Sequence, residues 1–478
     1  MAERKSQNLV IFIADEFRWD CLGVAGHPIV KTPELDRFSA AGTRFTRAYS
    51  NSPICVPVRA AIQTGRYIHE TGHWDSAQPY RGSPQGWAHQ IRQQGGRAVS
   101  IGKLHFRSAD DDNGYAPEIL PMHVKDGIGW APGLIRDPLG RFDSVTELAE
   151  QTGEGESAYY DFDWSVTEEA CRWLKQEGTQ EDKQFVLFVS VVSPHFPLLA
   201  PKRYLDQYLG RDLGAPIPAG PSTDHPVLQE MAKFWNYDSH FTDKQRHLAR
   251  AAYFGLVTMV DEMFGQVRRA ITESGLADQT TLLFTSDHGE LLGDHGAWTK
   301  QLMFEGSAAI PMLLAGPDVP AGKVSNTCVS LVDIHPTAFE ATGTVQPEDG
   351  TPGRSLIEIA EAADDPDRAV FSEYHDGGSP TGLFMIRKGD HKLVHFEGHA
   401  PQLYDLVKDP DERTDFAADP TYQTILKDRQ SELASICDTR EVNRDAFASQ
   451  ARKMEDLGGR AAVEAMAENV FGFTPPPS

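Results

Sequence analysis

The sequence predicts an α/β protein: an open sheet packed by helices, followed by a small antiparallel sheet with its own covering helix. Three observations predict it. The runs 9–13, 185–192 and 281–285 are nearly all apolar and short enough to be strands buried on both faces. Each ends in chemistry-bearing residues, namely Asp15-Glu16, Ser193-Pro194-His195 and Ser286-Asp287-His288-Gly289. Helical patterns lie between the runs, and a site at the strand ends is the layout of an open α/β sheet.

Taken in chain order, 9–13 is the first buried strand and delivers two carboxylates at its end. Segments 167–176 and 244–274 carry apolar residues three or four apart and read as helices. A further strand at 310–314 precedes a helix at 332–342. The stretch 346–367 is rich in Gly, Pro and acids and reads as a linker. Beyond it, 369–374, 382–388, 392–396 and 402–405 read as short strands and 422–436 as a helix. The Ala- and Glu-rich segment 445–468 is expected to be helical, ending in Phe471-Gly472-Phe473-Thr474 and three prolines. This tail is expected to dock on a neighbouring subunit of a homo-oligomer. The expected division is a catalytic α/β domain, 1–365, and a C-terminal subdomain, 366–478.

With 478 residues the chain can bury a large core, and 45 basic against 69 acidic residues give a net charge of −24. That balance argues against a nucleic-acid or anionic-membrane partner. Five scattered cysteines make a disulfide framework unexpected. The polar, acid-interrupted start does not read as a secretory signal, and no apolar run is long enough to span a bilayer. A cytoplasmic enzyme or binding protein is expected.

The chemistry-bearing residues fall into groups. Cys55, in Cys55-Val56-Pro57-Val58-Arg59, would as a free thiol beside a guanidinium be a soft nucleophile with a depressed pKa. Asp15, Glu16, Asp287 and His288 are hard or borderline ligands that suit calcium, magnesium or manganese, and zinc less well. As ordinary strand-end carboxylates they would only cap helices. The nearby Asp294-His295-Gly296 repeats the acid–histidine pattern. Lys103 and His105 alternate, so an extended segment puts them on one face, a cation beside a proton carrier. His195 sits between prolines in a stiff loop and could donate a proton. Lys300, read alone, is a solvated lysine. Trp130 is either a core tryptophan or a cation–π wall.

The order and spacing of these pieces resembles the type I (formylglycine-dependent) sulfatases of the alkaline phosphatase superfamily. The Cys55–Arg59 pattern with Thr64-Gly65-Arg66, Thr32-Pro33-Glu34-Leu35-Asp36, Gly102-Lys103-Leu104-His105, Ser286-Asp287-His288-Gly289, Lys300 and Asp333-Ile334-His335-Pro336-Thr337 all fall in family order. The resemblance implies an alkaline-phosphatase-like large mixed sheet sandwiched by helices, with a smaller C-terminal antiparallel sheet. It implies that a maturation enzyme oxidises Cys55 to formylglycine, whose hydrate attacks sulfur to form a covalent sulfo-enzyme intermediate. Asp15, Glu16, Asp287, His288 and residue 55 itself would bind a divalent metal, with Ca2+ expected ahead of Mn2+ or Mg2+. Arg59 and Lys103 would position and activate the hydrate, and His105 would take a proton from its second hydroxyl. Lys300 and His195 would bind sulfate oxygens and protonate the leaving alcohol.

Two departures sharpen this expectation. Glu16 stands where many members have an aspartate or a glutamine. His288 replaces the asparagine of arylsulfatases, and Asp-His is typical of the choline-sulfatase-like and phosphonate monoester hydrolase-like branches. No second carboxylate is legible near Asp376-Gly377-Gly378, so choline sulfate is not favoured. The expected reaction is hydrolysis of a small-molecule sulfate ester. Phosphonate monoester or phosphodiester hydrolysis by the same groups is the alternative, and a non-catalytic metal-binding homologue a remote one.

Overall fold

In the computed structural model, which describes residues 6–140, 142–180, 183–348 and 350–466, the first apolar run is strand β1 (Asn8–Asp15), an interior strand of an eight-stranded sheet. The other strands are β2 (Thr43–Phe45), β3 (Arg97–Lys103), β4 (Glu118–Met122), β5 (Phe185–Pro194), β6 (Thr280–Ser286), β7 (Met312–Ala315) and β8 (Lys323–Ser325). Their spatial order is β8-β2-β7-β6-β1-β5-β3-β4. β1 runs parallel to both β5 and β6, so the three chemistry-bearing strand ends emerge side by side. β7 is antiparallel to β6, which makes the sheet mixed.

Side chains of β1 alternate between two cores, which is why residues 9–14 are all apolar rather than every second one. Val10, Phe12 and Ala14 pack with helices α2 (Ala158–Gln176) and α3 (Asp243–Glu273). Leu9, Ile11 and Ile13 face α1 (Cys55–Thr64), α4 (Ile334–Thr342) and α5 (Leu356–Glu361). The sheet is thus sandwiched by helices, as expected.

The stretch read as a linker contains α5, whose Leu356, Ile357, Ile359 and Ala360 are buried against the sheet. Its Gly, Pro and acids flank the helix, and composition averaged over the stretch hid the apolar turn inside it. Beyond lie β9 (Ala369–Tyr374), β10 (Leu383–Lys388), β11 (His391–Phe396) and β12 (Gln402–Asp405), an antiparallel sheet in sequential order. One face, with Phe371, Phe384, Ile386, Leu393 and Leu403, packs under α6 (Gln423–Ile436). The other, with Val370, Leu383, Met385 and Val394, packs on Tyr49, Met303 and Phe304. The expected C-terminal helix is two helices, α7 (Thr439–Asp456) and α8 (Arg460–Met466), separated by Gly458 and Gly459 at positive φ. The tail 471–478 lies outside the described residues. All five cysteines are free, and among the described residues no helix is long and apolar enough to cross a membrane.

Candidate active site

The local fold of the Cys55 motif follows from helix geometry. Cys55 is the first residue of α1, and Pro57 sits in the first turn, where a missing N–H leaves no helical bond unmade. Arg59, four residues on, returns to the face of Cys55. Gly65 ends the helix at φ 69, and a Cβ there would lie 2.5 Å from the His335 ring, so only glycine fits. Every residue of α1 is buried.

Arg59 ties the strand ends together. Its Nη2 donates to Asp15 Oδ2 and its Nε to Asp287 Oδ2, both at 3.0 Å, and its Nη1 donates to the Lys103 carbonyl and Ser190 Oγ. Lys103 Nζ lies 2.6 Å from Asp15 Oδ2. The Oδ1 atoms of the two aspartates are left facing Cys55 and His288. Cys55 Sγ lies 3.6 Å from Asp15 Oδ1 and 3.1 Å from His288 Nε2, which is 3.7 Å from Asp287 Oδ1. Ligand atoms of Asp15, Cys55, Asp287 and His288 all fall within 4.8 Å of one another. This donor set suits a hard or borderline divalent cation, with an oxygen in place of sulfur at position 55.

Glu16 is placed differently. It adopts φ 66, and its Oε2 turns to Lys300 Nζ at 3.0 Å and His195 Nε2 at 3.3 Å. Its Oε1 receives no hydrogen bond from a protein donor, and its carboxyl lies against that of Glu290. Burial, with the charge of Glu290 added, pushes its carboxyl well above the usual range despite Lys300. Burial alone would raise Asp15 too, but Lys103, His195 and Arg59 hold it well below.

Cys55 corrects an expectation. Burial, then the charge of Asp15, push its thiol up to about 12. Arg59, paired with the two aspartates, does not offset burial and the charge of Asp15. The residue is an un-ionised thiol at neutral pH and a poor nucleophile as it stands.

Lys103 and His105 do reach one cavity, but not by strand alternation. The β3–β4 register shifts between Ile101 and Lys103, Gly102 has φ 101, and His105 has φ 55. Burial, then Lys103 and Arg59, hold His105 well below its ordinary pKa. Lys300 is a second correction: it is 4% exposed rather than solvated, its Nζ 2.7 Å from His195 Nε2. Burial would lower Lys300, yet Cys55, Glu16 and Asp15 around it hold it above its usual value. His195 Nδ1 lies 2.6 Å from the Phe196 carbonyl, which can only accept. Nδ1 therefore carries the hydrogen, and Nε2 accepts from Lys300. Burial, then Lys300, hold this imidazole well below its ordinary pKa.

These groups floor a cavity of about 490 Å³. Cys55, Lys103, His105, His195 and Lys300 line its polar end, and Trp130, Phe142, Trp235 and Tyr237 its aromatic wall. Trp130 stands 5.4 Å from the Trp235 ring. Asp294 and His295 lie elsewhere: Asp294 pairs with Arg18, and His295 stacks on Phe304. Residue-by-residue reading missed the aromatic partners of Trp130; Phe234-Trp235-Asn236-Tyr237 was the available signal. It also missed Asp75, whose charge adds to burial in raising its neighbour Asp376.

The family model described as Sulfatase matches residues 7–344, and one described as N-sulphoglucosamine sulphohydrolase, C-terminal, matches 293–439. The chain is 29% identical to arylsulfatase K of Danio rerio, over 91% of this chain and 85% of that protein. It is 29% identical to choline-sulfatase of Rhizobium meliloti, over 97% of this chain and 92% of that one. The solved phosphonate monoester hydrolase of Agrobacterium radiobacter is similar with a TM-score of 0.73 and 25% identity, covering 90% of this chain and 95% of that chain.

Proposed function

That this chain belongs to the sulfatase family is the premise from which we propose its reaction: hydrolysis of a small-molecule sulfate monoester by the groups around Cys55. The observation that carries the reading is one cavity floored by Cys55, Lys103, His105, His195 and Lys300, with Asp15, Asp287 and His288 gathered around Cys55 behind it. Asp15, Asp287, His288 and residue 55 would hold a divalent cation, calcium ahead of manganese or magnesium, with Glu16 Oε1 as the further acceptor. A formylglycine at position 55 would supply a geminal hydroxyl as nucleophile, and a cation held by these residues would supply positive charge for the sulfate oxygens.

The remaining roles belong to the protein's own side chains. Arg59 fixes both aspartates so that their Oδ1 atoms converge, that of Asp287 also accepting the backbone N–H groups of Glu16 and His288. Lys103 and Lys300 are cations placed to neutralise the nonbridging sulfate oxygens, while the charge released as the ester bond breaks goes to the leaving oxygen. His105, neutral because buried beside Lys103, takes a proton from the group at position 55. Lys300, hydrogen-bonded to His195 Nε2, is the proton reservoir for the leaving alcohol, and His195 holds that proton at Nε2. The aromatic wall receives the alcohol, and Trp130 is its nearest candidate contact. A formylglycine-generating maturation enzyme, a cytoplasmic setting and a homo-oligomer complete the proposal, with the net charge of −24 in keeping with a freely dissolved protein.

Rates on an aryl sulfate, a phenyl phosphonate and a phosphodiester test it, using metal-loaded protein whose residue 55 has been verified by mass. Fastest turnover of the sulfate is expected. Faster turnover of the phosphonate would establish the second reading, which the similarity to a phosphonate monoester hydrolase supports.

A further inference from the structure

Two buried carboxylates near the cavity take no part in the reaction as described. Asp163, on α2, is fully buried, and its two oxygens accept the backbone N–H groups of Val192 and Ser193, each at 2.7 Å. Those residues begin the turn that carries His195. Glu290 is 2% exposed, and its Oε1 accepts the N–H groups of Leu292 at 2.7 Å and Thr299 at 2.6 Å. It thereby closes the loop whose next residue is Lys300. Neither carboxylate lines the cavity.

A buried carboxylate is expensive to keep, and paired backbone donors are what make it tolerable. Here all four donors belong to the two turns whose side chains meet. We propose that Asp163 and Glu290 are positioning residues for proton delivery, each clasping two backbone N–H groups so that His195 and Lys300 are held at their 2.7 Å contact. The first turns of α2 reinforce one clasp. Tyr159, four residues before Asp163, sets its ring edge-on to His195 at 6.4 Å. Val166 packs beneath Gly102, where a Cβ would come within 3.1 Å of it. Arg18 reinforces the other clasp by donating to the carbonyls of Glu290 and Leu291.

The inference rests on the reading that His195 and Lys300 serve the leaving alcohol, and the test separates the two. Matured, metal-loaded enzyme is assayed on p-nitrophenyl sulfate and on phenyl sulfate, whose alcohol is a much poorer leaving group. Asp163→Asn and Glu290→Gln are each expected to lose about tenfold more kcat/KM on phenyl sulfate than on p-nitrophenyl sulfate, the signature of impaired acid assistance. In a His195→Ala background neither should add more than about a twofold loss. Equal losses on both substrates, or losses that multiply with His195→Ala, overturn the positioning role. If His195→Ala itself shows no leaving-group dependence, the proton-delivery reading falls, and this inference with it. Asp163→Ser, which keeps one acceptor, replaces the asparagine variant should that fail to fold; failure of both assigns Asp163 to the scaffold alone and overturns its part.

Discussion

Lys300 Nζ donates to His195 Nε2 across 2.7 Å, a contact that two protonated groups could not make without repulsion. The contact holds because His195 Nδ1–H is committed to the Phe196 carbonyl and Glu16 Oε2 lies 3.0 Å from the same ammonium. One proton therefore sits between two nitrogens beside a carboxylate, at the edge of a cavity. Lys300→Met should remove that proton and lower kcat by roughly 10² on a poor leaving group, with a much smaller effect on a good one. Steady-state rates on paired aryl sulfates measure this.

Cys55→Ala should abolish turnover while leaving the melting temperature within a few degrees, because a small buried side chain is lost from a helix otherwise unchanged. In active wild-type preparations, the peptide spanning residue 55 should be about 18 Da lighter than the thiol form. Peptide mass spectrometry alongside the assay checks both, and full activity in an unmodified thiol preparation would contradict the assignment.

Chelation should remove activity and lower the melting temperature, since a cation held by Asp15, Asp287 and His288 binds the folded chain only. His288→Ala should weaken metal retention by about ten- to a hundredfold, read by elemental analysis after dialysis. Unchanged metal content would place the ion elsewhere.

Gly102→Ala should be damaging out of proportion to one methyl group. Its φ is 101, and the added carbon would lie 2.1 Å from the Ser190 carbonyl oxygen. A destabilisation above about 1 kcal/mol is expected, with a larger loss of activity because Lys103 follows directly. Thermal melts and rates on the same samples test it.

Asp376 gives a pH-dependent prediction. Burial, then the charge of Asp75, push its carboxyl up to about 7, from an ordinary 3.8. The folded chain therefore holds a proton over that interval that the unfolded chain has released. Stability from this group is full below pH 3.8 and is lost as pH rises through about 7. Asp376→Asn should flatten the decline in melting temperature between pH 5 and pH 8, whatever its effect at either end.

The sequence carried the scaffold well because its signals are local. Buried strands such as β1 announce themselves by unbroken apolar runs, and the four strands of the small sheet by alternation against two cores. That Asp15, Cys55, Lys103, His105, His195, Asp287, His288 and Lys300 gather in one region was legible because family order adds what spacing alone lacks. What escaped was decided by long-range contacts. Glu16 and Asp15 are neighbours, yet one turns to Lys300 and the other to Cys55, since a positive φ separates them. Lys300 looked solvated because nothing in Trp298-Thr299-Lys300 reveals that Glu290 folds the loop inward. Asp75 and Asp376 lie far apart in the chain and meet only through tertiary packing. The thiol of Cys55 looked activated because Arg59 is close in sequence, whereas in space burial and Asp15 push it up.

The complete burial of α1 also has a consequence for timing. Cys55, Pro57 and Arg59 are all enclosed, with Cys55 4% exposed and Arg59 2%. A maturation enzyme carrying out the proposed conversion of Cys55 would have to reach a segment that the finished fold encloses, so conversion would be expected before α1 docks on the sheet. A chain that folded first would then stay in the thiol form, and the yield of active protein would be set by a race between modification and folding.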